Sequence, residues 1–503
     1  MDGFSPARRS NKFSEHVSSV TIPAQFVQED ARRPRGIRDV VVVGGGLAGL
    51  SAACALVESG YRVHLIERRP YVGGRASSYE HPGTGEVIDN CQHVLLGCCT
   101  NLIGFYRQLG VAEQIRWFNR ITFLEPGGRR TVLQPGILPA PFHNSLSFLA
   151  APALSLADKF AISRGMMAFL RGVPKDDGEN FAHWLARHGQ TKRAIERFWN
   201  PVLVSALNED LDRMSVQYAA MVFRTSFMQS AQAGWIGVPT IPLSELYGHA
   251  LGFIQSHGGV TTLRKSAEAF CYDDSSRRWQ VQYDGGWIEA DAVVLAVPFE
   301  SMQKLLPQLP ALADDSAERL ARQLDCFQHS PITGIHLWFD RTITNLDHAV
   351  LLDTTIQWMY NKSRLQRKSR AEDAGSYLEL VVSASKSLVA LSRQEILDLA
   401  LRELAEFFPT VRQAKLVKAA VIKEVRATFS VTPGVDANRP GPTTAWPHLF
   451  LAGDWTATGW PSTMEGAVRS GYLAAEAVAE ADGNPQKYIH PDLPSQGFMR
   501  WFR

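Results

Sequence analysis

The chain has 503 residues, of which 45% are hydrophobic, and this is enough for two domains with a sizeable core. Its formal net charge of +2 disfavours a nucleic-acid-binding protein. Six cysteines without metal-type CxxC spacing or a secreted-framework pattern predict a reduced, cytosolic chain that binds no metal.

The first 38 residues differ in composition from the rest. Residues 1–38 are polar and rich in arginine, with little hydrophobic periodicity, which predicts a disordered leader. Arg8 and Arg9 superficially match a twin-arginine signal, yet no apolar segment follows them. We therefore expect a leader that is not a targeting peptide.

The segment from Asp39 to Gly49 predicts a cofactor-binding turn between a strand and a helix. Four valines form a buried strand that breaks at Gly44, and an apolar helix begins after Gly46. Glycines at 44, 46 and 49 allow a tight turn, close approach of the backbone to a pyrophosphate, and close packing of helix on strand. The phosphate would lie at the positive end of the helix dipole.

Glu67 follows the next predicted strand and occupies the position from which an acid accepts hydrogen bonds from ribose hydroxyls. Strand, helix, strand and acid in this order predict a dinucleotide site. The following Gly73-Gly74-Arg75 resembles an extension found in FAD proteins of the amine oxidase and carotenoid desaturase superfamily, in which the arginine lies beside the diphosphate. An ordinary surface arginine is the alternative for Arg75.

A second cofactor segment lies near the C-terminus. A predicted buried strand ends at Gly453-Asp454, where the ribityl chain and phosphate pass in the same superfamily. Ser462 and Glu465 predict a capping box that starts a helix, whose N-terminus would face the pyrimidine edge of the flavin. Ordinary helix packing is the alternative. The residues assigned to FAD are Gly44, Gly46, Gly49, Glu67, Arg68, Gly74, Arg75, Gly453, Asp454, Ser462, Thr463 and Met464.

The order of these segments predicts an α/β protein with a discontinuous FAD-binding domain of the Rossmann type and an inserted α+β substrate domain. The predicted FAD domain comprises residues 39–99, 246–298 and 421–482, and a tail follows at 483–503. The predicted substrate domain comprises the mostly helical residues 100–245, and 299–420 with strands at Ile332–Phe339 and Tyr377–Ser383 and a helix at Arg393–Phe407. Because the sequence has no second glycine motif, an external donor or the substrate would reduce the flavin.

Residues 137–170 are rich in Leu, Phe, Ala and Met and are interrupted by prolines. No apolar run in the sequence is long enough to span a bilayer. Buried helices are the first interpretation of this stretch, and peripheral membrane contact, aided by the aromatic tail 497–503, is the second. The expected location is the cytoplasm or, with such contact, the inner face of the cell membrane.

Four segments resemble a narrower family. They are similar to the squalene-associated FAD-dependent desaturase-like family, which the chain matches over about residues 40–479. They comprise Asp89–Gly97, Trp199–Pro201 with Ala206–Asn208, Pro239–Leu246 and Ala452–Gly471. The resemblance implies dehydroxylation of hydroxysqualene in squalene and hopanoid biosynthesis, in which the protonated hydroxyl leaves as water and hydride from reduced flavin quenches the allylic cation. It also implies a dry, apolar tunnel for a long isoprenoid.

Such a reaction needs an acid, and His93 is the first candidate, with Asp89 as the partner that keeps it protonated. The two residues would share one face if this stretch is helical. A histidine of the core is the alternative for His93, and groups that only position the flavin are the alternative for Asp89, Asn90 and Gln92. Cys91 departs from the family's usual glycine, and a redox role for it is disfavoured because no basic neighbour is evident.

Two further functions remain open. A carotenoid or phytoene-type desaturase would use the same flavin in the oxidative direction. A non-enzymatic escort of prenylated proteins shares the superfamily fold, but such a protein has no need of the complete set of flavin residues in this chain.

Overall fold

The computed structural model describes residues 36–366 and 375–502. The strands in these ranges, numbered in chain order, are β1 (Asp39–Val43), β2 (Arg62–Glu67), β3 (Ser78–Glu80), β4 (Val87–Asp89), β5 (Leu95–Leu96), β6 (Ile115–Phe118), β7 (Ile121–Leu124), β8 (Arg130–Leu133), β9 (Ile236–Pro239), β10 (Val260–Leu263), β11 (Ala267–Asp273), β12 (Arg278–Tyr283), β13 (Gly286–Ala290), β14 (Ala292–Leu295), β15 (His329–Phe339), β16 (His348–Leu351), β17 (Trp358–Asn361), β18 (Ser376–Ser383), β19 (Leu416–Phe429) and β20 (Leu449–Leu451).

The α-helices in the same ranges are α1 (Leu47–Glu58), α2 (Thr100–Gln108), α3 (Ser145–Leu149), α4 (Leu156–Leu170), α5 (Phe181–Arg187), α6 (Lys192–Ala194), α7 (Asn200–Leu207), α8 (Val216–Val222), α9 (Leu243–Ser256), α10 (Phe299–Leu305), α11 (Ser316–Asp325), α12 (Lys362–Leu365), α13 (Arg393–Phe407) and α14 (Met464–Ala481). None of the helices in the described residues is long and apolar enough to cross a membrane.

Five parallel strands form the cofactor-side sheet in the order β10-β2-β1-β14-β20. The valines of β1 alternate between two cores, because Val40 and Val42 pack in one hydrophobic cluster and Val41 and Val43 in another. A parallel strand that is covered on both faces is a continuous apolar run, which is why the four-valine sequence predicts it. The neighbouring strand β12 does not join this sheet. The short turn that follows it folds the chain back into an antiparallel sheet, β11-β12-β13.

Seven strands form the second large sheet in the order β19-β15-β18-β17-β16-β7-β8. The strands predicted at Ile332–Phe339 and Tyr377–Ser383 lie within β15 and β18, and α13 has the predicted bounds. Residues 100–245 are less helical than predicted, because β6 to β9 form there and β7 pairs with the distant β16. Local sequence does not reveal so distant a partner.

The predicted fold class is therefore confirmed, whereas the domain boundaries stay a prediction. Residues Ile37–Arg503 pack as one unit. The predicted leader lies outside the described residues except for Gly36, Ile37 and Arg38, of which Ile37 is buried in the core. In the tail, a helical turn at Gly497–Trp501 buries Met499.

Candidate flavin site

A cavity of about 540 Å³ connects the predicted cofactor segments. It reaches from Glu67, at the end of β2, to Thr463, before α14. The predicted site residues that line it are Gly44, Gly46, Glu67, Arg68, Gly74, Arg75, His93, Gly453, Asp454, Ser462, Thr463 and Met464. Two predicted residues, Gly49 and Asp89, do not line it.

The three glycines of the first motif have different structural roles. Gly44 has a φ of +112°, which side chains rarely allow, and a Cβ at Gly49 would overlap the Gly44 carbonyl. These two glycines therefore permit the turn itself and the packing of α1 against it. A Cβ at Gly46 would meet nothing closer than the Cα of Gly74 at 3.9 Å, so Gly46 leaves open space at the N-terminus of α1. That space is where a diphosphate would approach the backbone.

The carboxylate of Glu67 is fixed at the edge of the cavity by two backbone donors. The amide of Gly45 donates to Oε2 at 2.6 Å, and the amide of Arg69 donates to Oε1 at 2.7 Å. Each carboxylate oxygen can accept a further hydrogen bond. The position and the remaining acceptor capacity fit the predicted contact with ribose hydroxyls.

Asp454 is held by two side chains on the cavity wall. Arg75 forms an ion pair with one of its oxygens, and the hydroxyl of Ser462 donates to the other. Arg75 also donates to the carbonyl of Ala427 at 3.0 Å. Arg75 is thus not an ordinary surface arginine, because it joins the two cofactor segments across the cavity.

The predicted capping box at the start of α14 is wrong in detail. Thr463 is the N-cap, because its Oγ1 accepts a hydrogen bond from the Gly466 amide at 3.0 Å. Glu465 is buried and instead accepts a hydrogen bond from the Leu102 amide at 2.8 Å in the first turn of α2. The unpaired amides of that helix end offer the carboxylate a tertiary partner that the local motif does not reveal.

The segment 90–94 forms one wall of the cavity and is not helical. Asp89 therefore does not share a helix face with His93, and no described contact joins their side chains. Asp89 accepts hydrogen bonds from the hydroxyl of Ser78 at 2.5 Å and from Nζ of Lys362 at 2.6 Å. Burial opposes the charge of Asp89, but Lys362 nevertheless holds the pKa of this carboxyl below its usual range. The predicted pairing of Asp89 with His93 is wrong because Lys362, distant in sequence, takes the carboxylate.

Lys362 joins three groups in a cluster whose charged members are buried. Its Nζ lies 2.6 Å from Asp89, 2.8 Å from Oε1 of Gln92 and 3.3 Å from Oε2 of Glu379. Burial raises the pKa of Glu379 to about 7. The charge of Lys362 partly offsets this rise, and the charge of Asp89 adds to it. With Glu379 protonated, the charges of Lys362 and Asp89 balance. The cluster also fixes the wall, since Gln92 in turn donates to the carbonyl of His93 at 2.9 Å.

His93 lines the cavity as a neutral side chain. Its Nδ1 lies 2.7 Å from the carbonyl of Cys91 and must donate to it, because a carbonyl only accepts. Nε2 is therefore an acceptor in the neutral ring. Burial lowers the pKa of His93 more than the Cys91 carbonyl and Asp89 raise it. A neutral ring in this position can accept a proton at Nε2, whereas the role of His93 as a protonated acid stays a prediction.

Known proteins resemble the chain along most of its length. The model of the family described as flavin containing amine oxidoreductase matches residues 47–479. The chain belongs to this family. It is an FAD-dependent oxidoreductase, which confirms the predicted enzyme class and cofactor and leaves the non-enzymatic escort without support.

The relatives include two carotenoid-pathway enzymes. The chain is 27% identical over 488 residues to 15-cis-phytoene desaturase of an Oncidium hybrid cultivar, covering 92% of this chain and 81% of that protein. It is 27% identical over 462 residues to 15-cis-phytoene desaturase of Synechococcus elongatus, covering 87% and 95%. A solved structure of putrescine oxidase bound to putrescine matches with a TM-score of 0.66 at 18% identity, covering 88% of this chain and 99% of that one, and this likeness concerns the fold alone.

Part of the cavity lining is apolar. Its members include Ala206, Ile332, Trp358, Tyr360 and Val381, which come from α7 and the seven-stranded sheet, and the polar Ser205 and Ser383 of the same elements lie in the lining beside them. The indole of Trp358 donates to Oγ of Ser205 at 2.7 Å. The indole N–H of Trp358 is therefore satisfied within the protein, and this part of the lining offers mainly hydrocarbon contact.

Sequence reasoning missed Lys362, Glu379 and Trp358. A signal for two of them was present, because Lys362 follows the apolar Trp358-Met-Tyr sequence and Glu379 interrupts a strand of apolar residues. A charged residue in a buried strand is rare unless it is paired. The sequence does not reveal that these charges meet each other and Asp89.

Proposed function

We propose that this protein is an FAD-dependent oxidoreductase of a long-chain isoprenoid. The observation that carries the proposal is the continuity of the cavity, which begins at the glycine turn, passes His93 and ends among apolar side chains. An amine substrate would favour carboxylates or an aromatic cage around its cation. Besides Glu67 and Asp454 of the cofactor segments, the described lining contains one carboxylate, Glu424, which accepts a hydrogen bond from Asn90 at 3.0 Å. The clustered side chains of Ile332, Trp358, Tyr360 and Val381 instead offer hydrocarbon contact, which suits a substrate without charge.

Bound FAD would supply the hydride exchange. The amides at the start of α1 and the space beside Gly46 would hold the diphosphate, Glu67 would accept from ribose hydroxyls, and Asp454 with Arg75 would lie along the ribityl chain. The chain's own part in the reaction is to exclude water from the apolar end and to handle a proton at His93.

Desaturation of a carotenoid-type isoprenoid is the first candidate reaction. Both relatives named above are phytoene desaturases, and they match this chain over most of its length. Desaturation removes a hydride and a proton from the substrate, so the protein must accept a proton. Nε2 of neutral His93 is an acceptor on the cavity wall.

Reductive dehydroxylation of hydroxysqualene is the second candidate. It is favoured by the Asp89–His93 and Trp199–Pro201 segments, which resemble the squalene-associated family. It also needs a proton donor, and Glu379, whose raised pKa is about 7, stores a proton beneath the wall. Glu379 is fully buried and does not itself line the cavity, so this proton lies behind the wall and away from a bound substrate.

The test uses purified full-length protein with bound FAD under anaerobic conditions. Oxidised enzyme receives 15-cis-phytoene, and photoreduced enzyme receives hydroxysqualene, each solubilised in detergent. Bleaching of the flavin together with a product containing a longer polyene supports desaturation. Reoxidation of the flavin together with squalene supports dehydroxylation.

Each arm has a control that separates binding from reaction. Squalene in place of hydroxysqualene should leave the reduced flavin unchanged, because it lacks the hydroxyl that leaves. Putrescine is the control for the wider family. Rapid bleaching of the flavin by putrescine, with neither isoprenoid reacting, would overturn the proposal.

A further inference from the structure

Exposed apolar side chains concentrate on one part of the protein. Among the described residues, twenty large hydrophobic side chains are exposed, and thirteen of them lie either in residues 132–173 or in residues 498–502. Ile137, Leu156, Phe160 and Trp501 are 94%, 80%, 73% and 77% exposed. We call this surface the apolar face, and its exposed members are Val132, Ile137, Leu138, Phe142, Leu146, Leu149, Leu156, Phe160, Met167, Val173, Phe498, Trp501 and Phe502.

The two segments are joined into one surface by defined contacts. The rings of Phe142 and Phe498 lie 6.2 Å apart, and the Phe498 amide donates to the carbonyl of Ala140 at 2.8 Å. Arg224 donates to the carbonyl of Leu170, at the end of α4, and to that of Phe502, each at 3.0 Å. The tail is therefore fixed beside the loop before α3 and beside the end of α4.

Helix α4 contributes a stripe of exposed apolar side chains to the apolar face. Leu156, Phe160 and Met167 lie within about 40° of one another around the helix at 100° per residue. The opposite side is anchored by buried Ala161, Ile162 and Phe169. The first interpretation of residues 137–170, that they are buried helices, is thus only half right, because the helix buries one side and exposes an apolar stripe on the other.

The exposed charges within residues 131–174 have one sign. The exposed charged side chains there are Arg164 and Arg171, since the carboxylate of Asp158 is buried, and exposed Asp177 lies just after this range. The tail contributes exposed Arg500. An apolar stripe flanked by these arginines is complementary to anionic headgroups over acyl chains.

We propose that the apolar face docks onto the surface of an anionic lipid bilayer, with the hydrophobic side chains in the headgroup and acyl boundary and the arginines at the phosphates. Docking would be peripheral and reversible, and it would put the protein where a long isoprenoid dissolves. The proposal concerns binding alone and requires no assumption about the reaction.

The test is co-sedimentation of the full chain with vesicles of phosphatidylcholine, with and without phosphatidylglycerol. Wild type should bind the anionic vesicles, and high salt should weaken the binding. Ile137→Glu/Leu156→Glu/Phe160→Glu/Trp501→Glu should reduce partitioning at least about tenfold while retaining bound flavin. The matched control, Val87→Glu/Trp287→Glu/Val417→Glu, changes exposed apolar residues elsewhere and should bind as wild type does.

A second variant keeps the test informative if the first one fails to fold. Arg164→Gln/Arg171→Gln/Arg500→Gln leaves every apolar residue in place and should weaken binding to anionic vesicles about fivefold per arginine. Absence of wild-type binding would overturn the proposal, as would equal loss in the control. If analytical ultracentrifugation without lipid shows a dimer in wild type and a monomer in the apolar variant, the face instead binds a second copy of the chain.

Discussion

The glycine turn and the wall at residues 90–94 border the same cavity, but the first is held by contacts between residues close in sequence and the second by contacts between residues far apart in sequence. The turn is held by contacts within about thirty residues, such as those of Glu67 with Gly45 and Arg69. The wall is held from beneath by Lys362, whose contacts with Asp89 and Gln92 span 273 and 270 residues of chain. The glycine turn is therefore encoded locally, whereas the proton chemistry of the wall depends on tertiary structure.

The largest expected effect separates two glycines of the same turn. Gly49→Val should prevent folding, because its side chain would overlap the Gly44 carbonyl. Gly46→Val should fold but lose FAD, because its Cβ points into the space left for the diphosphate. Circular dichroism and flavin absorbance measure the two outcomes. Full flavin content in the folded Gly46→Val protein would remove the turn from the cofactor site.

The wall should be more sensitive to the loss of one buried charge than to the loss of an exposed one. Lys362→Met leaves Asp89 buried without its counter-ion and should cost about 3–5 kcal/mol of unfolding free energy. The control, Lys418→Met, breaks an exposed pair with Glu86 and should cost about 0–1 kcal/mol. Urea unfolding measures both.

A compensating variant sharpens this second prediction. Asp89→Asn combined with Lys362→Met removes both charges and should recover part of the lost stability, because no uncompensated charge then remains on Asp89. Equal stability of Lys362→Met and Lys418→Met would mean that the buried cluster does not support the wall.

A third prediction concerns turnover rather than stability. His93→Ala should retain FAD but lower isoprenoid turnover by about 10²-fold, the scale typical of a lost acid or base. The exposed His257 provides the control, since His257→Ala lies outside the cavity lining. If His93 acts as a base, the wild-type rate should fall as pH decreases through its lowered pKa. An unchanged rate in His93→Ala would make His93 a structural part of the wall.

Features held by contacts close in sequence were predictable, and features held by distant contacts were not. β1, Gly44 and Glu67 were predictable because a strand, a turn and an acid within one supersecondary unit determine each other. The capping box at Ser462 failed because α2 supplies Glu465 with tertiary donors. The Asp89–His93 pair failed because Lys362, on the far side of the sequence, is the stronger partner. Local patterns do not specify which buried charges neutralise one another.

The smallest expected effect tests the protonation of the wall. The pKa of Glu379, ordinarily 4.5, is raised to about 7 by burial, so the folded protein binds a proton there that the unfolded chain releases. The resulting stability is complete below pH 4.5 and is lost as pH rises through about 7. The neighbouring Lys362 and Asp89 do not titrate in this window, since the pKa of Lys362 is raised and that of Asp89 is lowered.

Wild type should therefore lose about 1–3 kcal/mol of unfolding free energy between pH 4.5 and 7 through Glu379, and Glu379→Gln should not show this loss. Thermal unfolding across this range measures the difference between variant and wild type, which should grow as pH rises. His336, opposite Glu379 in the β15–β18 register, is kept neutral by burial, which lowers its pKa from 6.5 to about 3. Its contribution makes stability rise with pH in this window, but it is the same in variant and wild type and cancels in their difference. Glu406→Gln, on an exposed pair with Arg412, is the control and should give a constant difference. A constant difference for Glu379→Gln as well would mean that Glu379 is ionised throughout, and the wall would then store no proton.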